Sequence, residues 1–204
     1  VANVAKYLDG QPVLGVDPEP GRNPGVLARH RAGEVDGLLR GLAAGRVAFA
    51  ERAMVRADTD DGQTLLGLNE VYVGHASHQS ARYLLGTPDG HRERQSSSGV
   101  VVGTGTGATG WCASLAAQRT GAPPLPAPEA DTLCWFVREA WPSPATGTTL
   151  TAGTLGAAES LELTCESERL VAFADGLESD HVPLVWGQRL TLGVAGRRLR
   201  LVVG

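Results

Sequence analysis

Cysteine, aromatic residues and long apolar runs are all scarce in this sequence, and each scarcity removes a class of protein from consideration. The three cysteines, Cys112, Cys134 and Cys165, are odd in number, widely spaced and without a C-x-x-C pair. That pattern argues against a disulfide framework or a cysteine metal cluster, and no metal ligand set is assigned; it points to free thiols in a cytoplasmic protein. No apolar run approaches the roughly 20 residues that cross a bilayer, and no secretory signal pattern opens the chain, so no membrane partner is expected. Eighteen Lys and Arg stand against 22 Asp and Glu, giving a net charge of −4 spread along the chain. No basic stripe marks a nucleic-acid surface. The Walker A sequence G-x-x-x-x-G-K-[ST] is absent, which disfavours a P-loop kinase. An initiator Met is also missing. Val1, Val4, Ala5 and Leu8 fall at helical spacing ahead of Gly10, with no capping residue before them, so a segment upstream is expected to have been cut away.

What the chain has in quantity is glycine, 27 residues in 204, with 42% hydrophobic content, a composition of many turns and short strands around one large or two small domains. The stretch from Ser96 to Leu115 reads S-S-S-G-V-V-V-G-T-G-T-G-A-T-G-W-C-A-S-L. Val100 to Val102 predict a short buried strand, Gly103 to Gly110 a glycine loop, and the Ala-rich segment after it a helix. Glycines let a backbone approach a ligand closely, a helix start offers free N–H groups, and Trp111 is a flat surface for a base. A turn that merely packs a helix on a strand is an equal alternative. Gly105, Gly107 and Gly110 form a literal G-x-G-x-x-G, with Glu129 and Asp131 near the acidic offset of a Rossmann site. The surrounding segments read as hairpins rather than a βαβ unit, which weighs against that oxidoreductase reading.

In chain order, Pro12 to Val16 predicts a buried strand, Asp17 to Gly25 a proline-rich loop, and Glu34 to Ala44 an amphipathic helix ended by Gly45. From Arg46 the period changes to two. Arg46 to Ala57 and Thr64 to Gly74 read as strands about the turn Asp60-Asp61-Gly62, and Gln79 to Leu85 as another closed by Pro88-Asp89-Gly90. A boundary near Gly45 therefore divides an α/β segment, residues 1–45, from a β-rich domain, residues 46–204. Thr120 to Ala130, with four prolines, reads as a surface connection. Strands are expected at Thr132 to Glu139, Thr148 to Ala152, Glu159 to Cys165, Arg169 to Ala174, Val182 to Val185, Arg189 to Val194 and Arg197 to Val203.

Two stretches join the glycine loop in a pattern. Leu68-Asn69-Glu70-Val71 sets two polar residues into an apolar strand, a costly choice unless they bind something, and Ala174-Asp175-Gly176 follows a later strand. In the order L-N-E-V, T-G-T-G-A-T-G-W, A-D-G, the chain resembles the C-terminal part of the NAD kinase family, and Pro12 to Val16 resembles the P-V-L-G-[IV] strand of that family. The likeness is greatest to the divergent branch containing the mitochondrial-type enzymes, which Val137 to Ala140 (V-R-E-A) also resembles.

This resemblance implies an α/β nucleotide-binding domain, of which residues 1–45 are a remnant, followed by a β-rich NAD-binding domain. It implies transfer of a phosphoryl group from ATP or another donor such as polyphosphate, with Mg²⁺, to the 2′-hydroxyl of the NAD adenosine ribose, and homodimers or homotetramers. Asn69 and Glu70 match the pair that holds hydroxyls and the adenosine. Thr104, Gly105, Thr106, Gly107 and Thr109 match the loop that grips the dinucleotide, Trp111 the adenine-stacking position, and Asp175 and Gly176 the late turn by the substrate cleft. Ser98 stands where many members have an Asp directed at the nicotinamide-side ribose, and Gly105 replaces a Pro. The G-G-D-G segment with the catalytic Asp is not in residues 1–204, so no catalytic residue is assigned here. A non-catalytic dinucleotide-binding module, or a kinase of the same superfamily acting on a sugar or lipid, is the alternative. Outside these motifs, His75 and His78 read as solvated loop histidines, Thr146-Gly147-Thr148-Thr149 as a turn rather than a second phosphate cradle, and Arg138 and Glu139 as either a cleft or a surface ion pair.

Overall fold

Residues 1–22 and 25–204 are described by a computed structural model; Asn23 and Pro24, inside the expected loop Asp17 to Gly25, lie outside it. The fold is mixed α+β and mostly β-sheet, 13% helix and 38% strand. The strands are β1 (Pro12–Val13), β2 (Phe49–Arg52), β3 (Val55–Thr59), β4 (Thr64–Gly67), β5 (Glu70–His75), β6 (Ala81–Gly86), β7 (Arg92–Ser97), β8 (Gly99–Gly103), β9 (Leu133–Arg138), β10 (Ala152–Leu155), β11 (Ser160–Cys165), β12 (Leu170–Ala174), β13 (Val182–Leu184), β14 (Arg189–Val194) and β15 (Leu199–Val202). Helices are α1 (Ala2–Ala5), α2 (Val35–Ala43) and α3 (Trp111–Ala117).

Two six-stranded antiparallel sheets, in the orders β4-β3-β14-β11-β6-β7 and β10-β9-β8-β5-β12-β13, form a sandwich. Alternation decides the core. Leu161, Leu163, Leu190, Leu192, Tyr83 and Leu85 project from the first sheet onto Val71, Val73, Val100, Val102, Trp135 and Leu170 of the second. Each fully buried Val or Leu contributes about 1.5–3 kcal/mol relative to exposure. β8 has no polar alternation because it is buried on both faces: Val101 points away from the sandwich, under α3, with Cys112, Leu115 and Phe136.

A third sheet, β1-β15-β2, joins the amino-terminal segment to the last strand: β15 runs parallel to β1, with Pro12 opposite Arg200, and antiparallel to β2. Sheet pairing therefore crosses the expected boundary near Gly45. The strand expected from Pro12 to Val16 is reduced to two residues, and Val16 instead bridges His30. α1 spans one turn, and Val1 and Val4 of its expected apolar face are exposed while Ala5 is buried. α2 forms where its periodicity predicts, yet it has no buried residue.

Two long expected strands are each broken in two. Arg46 to Ala57 divides at Ala53-Met54 and Thr64 to Gly74 at Leu68-Asn69, because at each point the chain passes between sheets. Met54 and Leu68 fill the corner with Ala5, Ala195 and Leu199. The strand expected at Thr148 to Ala152 lies later, at β10, and the polar edge strand β7 has no counterpart among the expected ones.

Candidate functional site

The second of these corners carries the Asn-Glu pair, so Asn69 sits at a bend between sheets and Glu70 opens β5, rather than both lying mid-strand. Asp175 shapes the bend. Its carboxylate accepts hydrogen bonds from the backbone N–H of Leu68 at 3.0 Å and of Asn69 at 2.6 Å, and its own N–H donates to Glu70 O at 3.1 Å. Charge-assisted bonds of this kind are the stronger ones. Asp175 and Gly176 have φ of 54° and 72°, left-handed values that suit an Asp-Gly turn.

Thr104 ties the glycine loop to the same bend. Its N–H donates to Asn69 O at 2.9 Å, and its hydroxyl donates to Leu68 O at 2.6 Å while accepting from the N–H of Thr106 and Gly107. The three motifs, far apart in sequence, thus meet at one corner. The side chains of Asn69 and Glu70 make no hydrogen bond among the described residues, although both are partly exposed there. The Glu70 carboxyl is pushed up to about 7, first by burial and then by the neighbouring negative charge of Asp175.

The loop is folded on the protein itself. Gly103 to Ala108 are buried; Thr109 and Gly110 are exposed. A Cβ at Gly105 would collide with Ala127 O, and one at Gly107 with Asn69 O, so these glycines permit backbone-to-backbone contact within the chain. Thr109 donates to Thr106 O at 2.9 Å, while the Thr106 hydroxyl is buried without a partner among the described residues. Both neighbours of β8, β5 and β9, are antiparallel to it, which is incompatible with a Rossmann unit at this loop.

Beside the corner, on the outer face of the second sheet, lies a cleft of about 510 Å³ lined by Tyr72, Phe173, Trp111, Arg138, His75, His78, Glu178 and His181 among others. Glu70 and Tyr72 are two residues apart on β5 and share this outer face. Trp111, at the start of α3, stacks on Tyr72 with centroids 5.7 Å apart and an angle of 26°, and the Arg138 guanidinium lies 5.5 Å from the Trp111 ring. The Tyr72 hydroxyl donates to Ser98 O at 2.7 Å. Exposed Ser98 thereby borders the cleft, and Gly99, with φ of 116°, has no side chain to collide with the Tyr72 ring.

The resemblance did not draw Tyr72, Phe173, Glu178 or His181 into the site; for Tyr72 and Phe173 the signal is the outward half of a strand alternation, visible only once the inward half is known, whereas Glu178 and His181 lie on the connection between β12 and β13. Arg138 lines the cleft and reaches Glu139 at 3.6 Å. His75 and His78 line the cleft as well, and the H-x-x-H pair belongs to no group of three or more potential metal ligands among the described residues. At Thr146 to Thr149 the N–H groups of Thr149 and Leu150 are taken by the Glu93 carboxylate, so that cradle holds a side chain of the protein's own.

No helix among the described residues is long and apolar enough to cross a membrane. No protein-family model matches the chain, and no curated protein matches it at a significant level.

Proposed function

We propose that this chain is the dinucleotide-binding part of an NAD kinase-like phosphotransferase, acting on the 2′-hydroxyl of the adenosine ribose of NAD. The observation that carries the reading is the meeting of L-N-E, T-G-T-G and A-D-G at one corner, with the Asn69 and Glu70 side chains making no hydrogen bond among the described residues beside an aromatic cleft. The Asn69 amide can donate and accept, and the Glu70 carboxylate accepts, which suits ribose hydroxyls. Trp111 supplies the stacking surface for adenine, with the Arg138 guanidinium 5.5 Å from its ring. The glycine loop and Asp175 then act by fixing where Asn69 and Glu70 stand, in keeping with a reaction governed by positioning and charge neutralisation.

In this reading the nucleoside triphosphate or polyphosphate supplies the phosphoryl group. Mg²⁺ accompanies it as counter-ion to its phosphates, for which one or two protein carboxylates suffice; Glu70 and Asp175 are the carboxylates at hand. Ser98, at the cleft edge, offers a hydroxyl in place of an acid on the side of the second ribose.

The test is NADP⁺ formation from NAD⁺, ATP and Mg²⁺ by the full-length gene product, with calorimetric NAD⁺ binding to this chain. Turnover, together with binding that Asn69→Ala and Glu70→Ala each weaken tenfold or more, is expected. Binding without turnover would reassign the chain as a non-catalytic dinucleotide module, and absence of both would turn the search to sugar or lipid acceptors.

A further inference from the structure

Beneath the glycine loop lie two thiols that the phosphotransferase reading does not use. Cys112 is in the first turn of α3 and Cys134 is on β9, and both are fully buried. Gly103, the last residue of β8, pairs with Cys134 across the ladder. A side chain at position 103 would stand about 5 Å from that of Cys134 on the same face. Gly103 has none, and the Cys112 sulfur occupies the place its Cβ would take. The two sulfurs therefore face each other over Gly103, thiol against thiol, and the Cys134 thiol also reaches Gly103 O at 3.6 Å. Cys165 is elsewhere, its thiol directed to Ser167 O at 3.2 Å.

We propose that Cys112 and Cys134 are a reversible dithiol–disulfide pair that sets the position of the first turn of α3, and with it Trp111. With hydrogen peroxide as oxidant, the thiolate of one cysteine takes one peroxide oxygen to become a sulfenic acid, and the other oxygen leaves as water with the thiol proton. The sulfur of the other cysteine then attacks the sulfenic sulfur, the S–S bond forms, and the second oxygen leaves as water with that cysteine's proton. Two electrons pass from the two thiols to one peroxide, giving one disulfide and two waters.

Access comes from the helix itself. α3 has seven residues and no side-chain cap, and it starts beside exposed Gly110, so it is among the segments that open locally. A disulfide of about 2.05 Å is shorter than any contact between unbonded thiols. Its formation draws Cys112 toward β9 and displaces the adjacent Trp111 from its stack on Tyr72.

The test is peroxide treatment of the chain, denaturation, thiol alkylation and peptide mapping, alongside tryptophan emission. Expected are a loss of two hydrogens in mass, a Cys112–Cys134 cross-linked peptide, one alkylated cysteine in place of three, and full reversal by dithiothreitol. Emission is expected to shift in the wild type and not in Trp111→Phe. Cys165→Ser, away from the pair, is expected to lose the same two hydrogens and to retain no alkylated cysteine, which keeps the proposal testable even where Cys112→Ser does not fold. Three alkylated cysteines, oxygen adducts on single thiols, a cross-link through Cys165, or a cross-link without an emission shift would overturn it. The cross-link is independent of the functional reading, which fails separately through absent NAD⁺ binding by the reduced chain.

Discussion

The two faces of the sheet β10-β9-β8-β5-β12-β13 make different use of the same strands. Along β5, Val71 and Val73 enter the sandwich and join its buried hydrophobic cluster. Glu70 and Tyr72, on the alternate positions, face outward to the corner and the cleft. Along β12, Ala172 points in while Phe173 points out against Tyr72, the ring centroids 5.0 Å apart. The inner face of these strands is apolar; the outer face carries an ionisable carboxyl and a guanidinium. Stability and chemistry are thus separated by one residue of register.

The separation is testable from its strongest side. Leu163→Ala, fully buried in the sandwich, is expected to cost about 3 kcal/mol in denaturant unfolding while leaving NAD⁺ affinity of the folded fraction unchanged. Asp175→Ala crosses the divide, because it removes the acceptor for the Leu68 and Asn69 N–H groups. A loss of about 2 kcal/mol together with loss of ligand binding is expected, whereas a purely structural role for the turn would spare binding. Trp111→Leu keeps an apolar side chain and loses the stack on Tyr72, so it is expected to lower stability by only about 1 kcal/mol while weakening binding of adenine nucleotides about tenfold.

The smallest effect concerns pH. The folded chain holds the Glu70 proton more tightly than the unfolded chain, since the carboxyl is raised from its ordinary value to about 7. Its contribution to stability is therefore full below the ordinary carboxyl range and is lost as the pH rises through about 7. Glu70→Gln is expected to flatten that slope by on the order of 1 kcal/mol after solvent screening in unfolding measured from pH 5 to pH 8. An unchanged slope would place the carboxyl in open solvent.

Alternation and turn chemistry were legible in the sequence wherever local signals suffice. β14 spans the six residues that R-L-T-L-G-V predicts, and the turns at Gly62, Gly90 and Gly176 all adopt positive φ. The break at Leu68-Asn69 was not legible, because the groups that bend the chain there, Asp175 and Thr104, come from distant segments. β7 escaped for a different reason. Its sequence R-E-R-Q-S-S has no apolar alternation, and it is held by the ladder to β6 and by Arg94, whose guanidinium makes two hydrogen bonds with the Glu166 carboxylate. Asn69, Glu70, Thr104 and Asp175, named by motif, lie at one corner, while the walls of the cleft, Tyr72 and Phe173, needed the sheet order before their outward direction had meaning. Of the two readings of the glycine loop, ligand approach and packing within the chain, Gly105 and Gly107 serve the second, making way for Ala127 and Asn69.

The placement of β15 bears on synthesis as well as on shape. It is the middle strand of its sheet, and around it His30 contacts Val202 O while Ala48 and Gly204 pair through their backbones. A ribosome delivers β1 and β2 long before the strand that must lie between them. Until Leu199 to Val202 have emerged, their edges stand open to solvent, to other nascent chains and to chaperones. Closure of this sheet consequently comes after the synthesis of β1 and β2, and loss of Leu199 to Val202 would leave the sandwich strands present while removing the strand that joins β1 to β2.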